Sequence, residues 1–217
     1  MKYSAIIVAA GKGSRSGLSI NKVYSLLDQR RVLEYSLELF LSDPDCCQVV
    51  CVVNIEEFNK YFPMKYDQKI VLAQGGTTRQ QSVLNGMAAV TQDVVMIHDG
   101  ARPYVSVDII QRCKEALAHH EAACVCMPCV DTIKQGNGRI ETTLDRSLLY
   151  VAQTPQCFHS DNYFKHACLA MRQNVSVTDD CSIMEWAGCD DIAIVQGSSL
   201  NVKLTWPDDF NPQKNKR

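Results

Sequence analysis

Five short apolar runs, at residues 4–10, 49–53, 69–73, 94–98 and 122–129, alternate with helix-patterned stretches over the first 130 residues. The opening run, Ser4-Ala5-Ile6-Ile7-Val8-Ala9-Ala10, is unbroken by charge, as expected of a parallel strand covered on both faces. The segments between the runs read as helices at 32–41, around 56–62, from a Thr77 or Thr78 cap to about 90, and from a Ser106 cap to about 119. This order predicts an open, mostly parallel α/β sheet with helices on both faces. Ligands of such sheets bind beyond the carboxyl ends of the strands. The loops at Gly11, Gly75 and Asp99 all follow predicted strands, so they are expected to converge.

The first of these loops is Gly11-Lys12-Gly13-Ser14-Arg15-Ser16-Gly17, with Lys22 just beyond it. Glycines after a strand let backbone amides come close to phosphate oxygens. The last glycine falls one place late for the dinucleotide fingerprint, and no lysine follows Gly17 as a nucleotide-hydrolase loop requires. Lys12, Arg15 and Lys22 suit a nucleoside triphosphate whose α-phosphate gains negative charge under attack. Their plainer reading is solvated loop cations. The second loop, His98-Asp99-Gly100-Ala101-Arg102-Pro103, offers Asp99 as a carboxylate for Mg²⁺, which bridges protein and phosphate oxygens while keeping several waters. An ordinary Asx-type turn is the alternative. Arg102 can pair with a nearby carboxylate and fix the turn, and His98 reads as structural. Gly75, Gly76, Arg79 and Ser82 form a strand-to-helix loop able to wrap a base or ribose.

Beyond residue 130 the alternation stops. Residues 131–150 contain Gly136, Asn137 and Gly138, a hairpin turn between extended arms. This excursion reads either as an arm that packs on another subunit or as a surface hairpin. Helices are expected at 161–171 and 180–186, a strand at 192–195, and a loop leading into a short strand over 198–205, with Lys203 near its centre. The whole chain, 1–217, reads as one domain. A phosphorylated acceptor would need cationic and hydroxyl partners, for which Arg146 and Lys203 are the best-placed cations.

Composition narrows the partners. A formal charge of −2 gives no positive field for nucleic acid, and no segment approaches the roughly 18 apolar residues of a membrane helix. The apolar start runs straight into the glycine loop without a cleavage-type leader, so the cytoplasm is the expected compartment. Eleven cysteines, an odd number, then read as reduced thiols. Cys124, Cys126 and Cys129 include a Cys-x-x-Cys pair, but they lie in an apolar run and are expected to be buried small side chains rather than a metal or redox site.

The motifs form an ordered series: AAGKGSR with Asn21-Lys22, QGG followed by Arg79 and Ser82, HDGARP, PCVDTIK, TLDRS, TPQCF, TDDCS and NVKLT. Together they resemble the 2-C-methyl-D-erythritol 4-phosphate cytidylyltransferase family of the non-mevalonate isoprenoid pathway, over nearly the whole chain. The resemblance implies a Rossmann-like nucleotidyltransferase fold and Mg²⁺-dependent transfer of a cytidylyl group from CTP to 2-C-methyl-D-erythritol 4-phosphate. The products would be 4-diphosphocytidyl-2-C-methyl-D-erythritol and pyrophosphate.

The same resemblance implies catalytic roles for Arg15, Lys22 and Lys203. It places CTP against Ala9, Ala10, Gly11, Gly13 and Ser14, against Gly75, Gly76 and Ser82, and against Asp99 and Ala101, with Asp99 as the metal carboxylate. Asp99, Thr154, Thr178 and Lys203 would meet the acceptor in the subunit's own pocket. Thr132 and Arg146 would reach the acceptor phosphate of a neighbouring subunit through an exchanged arm, making the protein a homodimer.

The chain departs from the family pattern in several places. Thr77 and Thr78 follow the glycine pair where an acidic residue is frequent, and Asp180 stands in place of Glu. Gly100-Ala101 precedes Arg102, Trp206 follows the Lys-x-Thr run, and the C-terminal helix looks very short or missing. The nearest rival is a cytidylyltransferase for another polyol phosphate, such as ribitol 5-phosphate. A dinucleotide-dependent oxidoreductase and a non-catalytic nucleotide-binding module are more distant ones.

Overall fold

The computed structural model describes residues 1–11, 20–63 and 67–210. Its first strand, β1 (Tyr3–Val8), ends two residues earlier than the apolar run suggests, which frees Ala9 and Ala10 to begin the loop. A small hairpin of β2 (Leu26–Leu27) and β3 (Arg30–Arg31) leads into α1 (Val32–Ser42). Then come β4 (Cys46–Val53), α2 (Ile55–Tyr61), β5 (Ile70–Gln74), α3 (Arg79–Met87), β6 (Val94–Asp99), α4 (Val107–Leu117) and β7 (Ala122–Pro128). The predicted caps form: Thr78 accepts from the Gln81 amide at 3.0 Å and Ser106 from the Ile109 amide at 3.4 Å. The excursion is a hairpin of β8 (Lys134–Gly136) and β9 (Ile140–Thr143). The chain closes with β10 (Tyr150–His159), α5 (Ser160–Arg172), α6 (Cys181–Trp186) and β11 (Ile192–Gln196).

Seven strands make one sheet in the order β11-β7-β10-β6-β1-β4-β5. All neighbours are parallel except β10, which runs antiparallel to both β6 and β7. Side chains alternate across the sheet as strand geometry requires. Ile7, Val49, Cys51 and Met96 pack on one face with Leu33 and Phe40 of α1, Phe58 of α2 and Ile109 of α4. Ile6, Val50, Val52, Val95 and Ile97 pack on the other with Val83 of α3, Tyr163 of α5 and Ile183 of α6. From β1 the chain first moves outward through β4 and β5, then returns to the opposite side at β6. Loops leaving β1 and β6 therefore part, opening a crevice at the carboxyl ends of these strands.

Three expectations change. Residues 150–159 form a ten-residue strand where no element was anticipated. Its buried Gln153 and Gln156 break the apolar pattern, yet Gln153 bonds Ser198 and Asn201, and Gln156 bonds Asp179 and the amides of Asp180 and Cys181. No strand forms at 198–205. That stretch is coil, anchored where the Leu204 amide donates to the Ala101 carbonyl at 2.8 Å. Cys129, expected to be buried with Cys124 and Cys126, falls just past β7 and is only half-buried, and His120, following the end of α4, pairs with Asp191 at 2.6 Å. The C-terminal helix is reduced to a 3-10 turn at Pro207–Phe210 within the described residues.

The arm keeps to itself. Every residue of β8 and β9 is exposed, and Ile140 and Leu148 present 69% and 77% of their surface to solvent. All eleven cysteines are free, and Cys124 and Cys126 are buried side by side on β7, with sulfurs 3.5 Å apart. No helix among the described residues is long and apolar enough to cross a membrane.

Candidate active site

A cleft of about 840 Å³ opens over the carboxyl ends of β1, β5 and β6. Its first wall is Ala9, Ala10 and Gly11, with Lys22 across from them. Asn21 sets that spacing. Its side chain donates to the Ala9 carbonyl at 3.0 Å and accepts from the Val23 amide at 3.4 Å, capping the 3-10 turn Lys22–Tyr24. Gly13, Ser14 and Arg15, together with Lys12, lie outside the described residues.

Gly75, Gly76, Thr77 and Ser82 make the second wall. A Cβ on Gly75 would stand 2.1 Å from the Ala10 Cβ, so only glycine lets the β5 loop close against the β1 loop. Ser82 braces this turn from within: its hydroxyl accepts from the Gly76 amide at 3.0 Å and donates to the Thr78 carbonyl at 2.8 Å.

Asp99, the last residue of β6, forms the floor with Ala101 beside it. Three cations surround its carboxylate. Lys203 Nζ lies 2.8 Å from Oδ2, Arg102 Nε 3.7 Å from Oδ2, and Arg79 Nε 3.5 Å from Oδ1. Burial by itself would raise this carboxyl, but Arg79, Lys203 and Arg102 outweigh it and hold the group well below the usual carboxylate range. Lys203 arrives there because Asn201 ties the coil down: its side-chain Nδ2 donates to the Thr154 carbonyl at 2.9 Å, and its backbone carbonyl accepts from Arg102 Nη1 at 2.7 Å.

Arg79 has a second partner that sequence reasoning missed. Its Nη2 donates to buried Asp180 at 2.7 Å, and the Tyr163 hydroxyl donates to the other Asp180 oxygen at 2.8 Å. Burial works against the Arg79 charge, yet Asp180 and Asp99 together raise its pKa. The motif TDDCS carried Asp180, but nothing local to that motif points to residue 79, which lies 101 positions away.

The remaining sequence candidates divide. Thr154 sits directly behind the floor, its hydroxyl accepting from the Asp99 amide at 3.0 Å. His98 is fully buried and is structural, with one ring nitrogen 3.1 Å from the Arg102 carbonyl and the other 3.0 Å from the Thr154 hydroxyl. Burial pushes its pKa down to about 4, so the ring is neutral near pH 7. Thr132, Arg146 and Thr178 are exposed and do not line the cleft. Arg146 donates to the Val130 carbonyl within the arm, and Thr178 lies 3.4 Å from Ser182 at the start of α6.

Among the described residues no three His, Cys, Asp or Glu side chains gather into a metal cage. Asp99 nonetheless puts on the cleft floor the kind of oxygen donor that Mg²⁺ takes in ones and twos while filling its shell with phosphate oxygens and water, and an ion held there would share the carboxylate with Lys203, Arg79 and Arg102.

The family model described as 2-C-methyl-D-erythritol 4-phosphate cytidylyltransferase matches residues 3–214. A protein of that name from Clostridium tetani is 38% identical over 219 residues, spanning 96% of this chain and 87% of the relative. One from Halalkalibacterium halodurans is 38% identical, spanning 97% and 94%. Among solved structures, the 4-diphosphocytidyl-2C-methyl-D-erythritol synthase of Anaerococcus prevotii superposes with a TM-score of 0.85 at 27% identity, covering 96% of this chain and 95% of that one. The Francisella tularensis cytidylyltransferase gives 0.83 at 30% identity, with 97% of each chain covered. The chain belongs to the 2-C-methyl-D-erythritol 4-phosphate cytidylyltransferase family.

Proposed function

We propose that the cleft transfers a cytidylyl group from CTP to 2-C-methyl-D-erythritol 4-phosphate. An oxygen of the acceptor's 4-phosphate attacks the α-phosphorus and forms the new P–O bond. The bond to the β-phosphate oxygen breaks, and pyrophosphate leaves. The observation that carries this reading is the meeting of Lys22, Arg79, Lys203 and the Asp99 carboxylate with two glycine loops in one cleft. The acceptor phosphate is already anionic near neutrality, so no general base is needed, in keeping with a His98 whose two nitrogens are both engaged.

Each residue then has a task. The loops at Ala9–Gly11 and Gly75–Gly76 enclose the nucleotide, with Ser82 bracing the second loop and Ala101 lining the floor. Lys22 and Lys203 hold phosphate oxygens as charge builds at the α-phosphorus, and Arg15, with Gly13 and Ser14, belongs to the same cradle. Asp99 would hold Mg²⁺, which would supply neutralisation of phosphate charge. Thr178 owes its assignment to the acceptor to the family resemblance, since it is exposed and does not line the cleft.

The arm completes the site across a dimer. Residues 131–150 carry exposed apolar side chains and, among the described residues, side-chain hydrogen bonds that stay within the arm and its base, as a segment built for a second copy would. Thr132 and Arg146 there reach the acceptor phosphate in the partner's cleft.

The test is pyrophosphate release from purified protein with Mg²⁺ and CTP, supplied with either 2-C-methyl-D-erythritol 4-phosphate or ribitol 5-phosphate. Release with the first acceptor is expected. Release with ribitol 5-phosphate alone would move the activity to another polyol, and CTP binding with no release would make the protein a non-catalytic module.

A further inference from the structure

Asp99 can serve the proposed reaction only if its backbone is held still, and the residues that hold it form a chain with one consistent set of proton positions. β10 pairs with β6 through Gln156 opposite Ile97. Two residues further in that register Thr154 faces Asp99, but its carbonyl is taken by Asn201. The Asp99 amide turns instead to the Thr154 hydroxyl at 3.0 Å. That hydroxyl also lies 3.0 Å from His98 Nδ1, and His98 Nε2 lies 3.1 Å from the Arg102 carbonyl.

The directions follow from what each group can do. A carbonyl only accepts, so His98 Nε2 carries the hydrogen. The ring is fully buried and packed edge-on against Phe40 at 5.5 Å, and its Nδ1 is the one acceptor the Thr154 hydroxyl has among the described residues, the hydroxyl oxygen already accepting from the Asp99 amide. The Thr154 hydroxyl must then donate to Nδ1, which leaves its oxygen to accept the Asp99 amide. We infer that His98, as its Nε2–H tautomer, and Thr154 form a positioning relay that sets the Asp99–Arg102 turn. The relay joins both ends of the turn, the Asp99 amide and the Arg102 carbonyl, through one side chain from β6 and one from β10.

This relay gives Thr154 a role different from that of a phosphate ligand. Its only hydroxyl proton is committed to His98, so it has nothing to give a phosphate oxygen, which can only accept. A contact between Thr154 and a polyol phosphate would have to come from a substrate hydroxyl donating to it.

The relay builds on the proposed reaction, and its test has an arm independent of activity. In long-range proton–nitrogen NMR of the ¹⁵N-labelled full chain, His98 is identified by the signal lost in His98→Gln. A protonated Nε2 with a bare Nδ1 is expected; the opposite tautomer, or an imidazolium at neutral pH, would overturn the relay. In the kinetic arm, Thr154→Val should lower kcat about tenfold or more with little change in the KM for CTP, and Thr154→Ser should recover most of the loss. An unchanged kcat in Thr154→Val overturns the relay, as does a loss that Thr154→Ser shares in full, which would trace it to the methyl group. If the unaltered protein released no pyrophosphate with any acceptor, the reaction would fall while the NMR arm still decided the relay.

Discussion

The Asp99 floor and the arm both carry residues assigned to the acceptor, yet they are organised in opposite ways. Around Asp99 most polar groups are answered within the chain: three cations on the carboxylate, Thr154 on the amide, His98 on the Arg102 carbonyl, while the buried Arg102 Nε and Asn201 Oδ1 make no hydrogen bond. In the arm, Arg146 and Thr132 are exposed, and the surrounding apolar side chains meet solvent. The floor is preorganised, so its electrostatics cost little to assemble when substrate arrives. The arm is shaped by its own hairpin and carries polar and apolar surface that the rest of its chain does not use.

If that contrast holds, substitutions in the floor should cost folding stability and turnover, whereas those in the arm should cost neither in an isolated chain. The largest effect is expected for Asp180→Ala, which strands the Tyr163 hydroxyl and leaves Arg79 only its longer contact with Asp99. A loss of about 3–5 kcal/mol in urea denaturation is anticipated, as for other broken buried pairs. A loss under 1 kcal/mol would mean that the floor is less tightly built than its geometry indicates.

Acid should expose the same rigidity. The His98 pKa is depressed in the folded chain to about 4 from an ordinary 6.5. Below pH 6.5 the unfolded chain binds a proton that the folded one refuses, so stability falls as pH drops and levels off near pH 4. Across that window the loss is up to about 3 kcal/mol, and His98→Gln should flatten it. Asp99 is also lowered, and it too loses stability toward acid, but further down the pH scale. Its carboxyl is held low by the three cations, so its contribution persists throughout that range and is lost only in stronger acid.

Lys203→Ala should reduce kcat by about 100-fold in the pyrophosphate assay, the scale seen when one transition-state donor is removed. A change confined to the KM for CTP would make Lys203 a binding contact only. At the small end, Ile140→Ser combined with Leu148→Ser should alter the stability of the isolated chain by no more than about 0.5 kcal/mol. Sedimentation should show weakened self-association, and Arg146→Ala should raise the KM for the acceptor more than that for CTP. Full self-association in the double variant would remove the arm from the interface.

Much of the site could be read along the chain because its parts are local. A strand followed by Gly11, the QGG turn before Ser82, and HDGARP at the end of β6 each join a backbone shape to a chemical group within a few residues, and the structure brings all three to one cleft. Asp180 and Arg79 could not be read that way, since each is explained only by the other. β10 was hidden for the same reason: Gln153 and Gln156 look like loop residues until Ser198, Asn201 and Asp179 supply their hydrogen bonds.

The sequence by itself determined the alternation of strands and helices over the first 130 residues, the loops that line the cleft, and the family, because apolar periodicity and short motifs depend on near neighbours. Only the tertiary structure decided that β10 enters the sheet antiparallel between β6 and β7, that Lys203 reaches Asp99 from coil, and that His98 and Thr154 share a proton path behind it. Those outcomes depend on buried polar groups finding partners fifty to a hundred residues away, and a buried donor costs stability when it finds none.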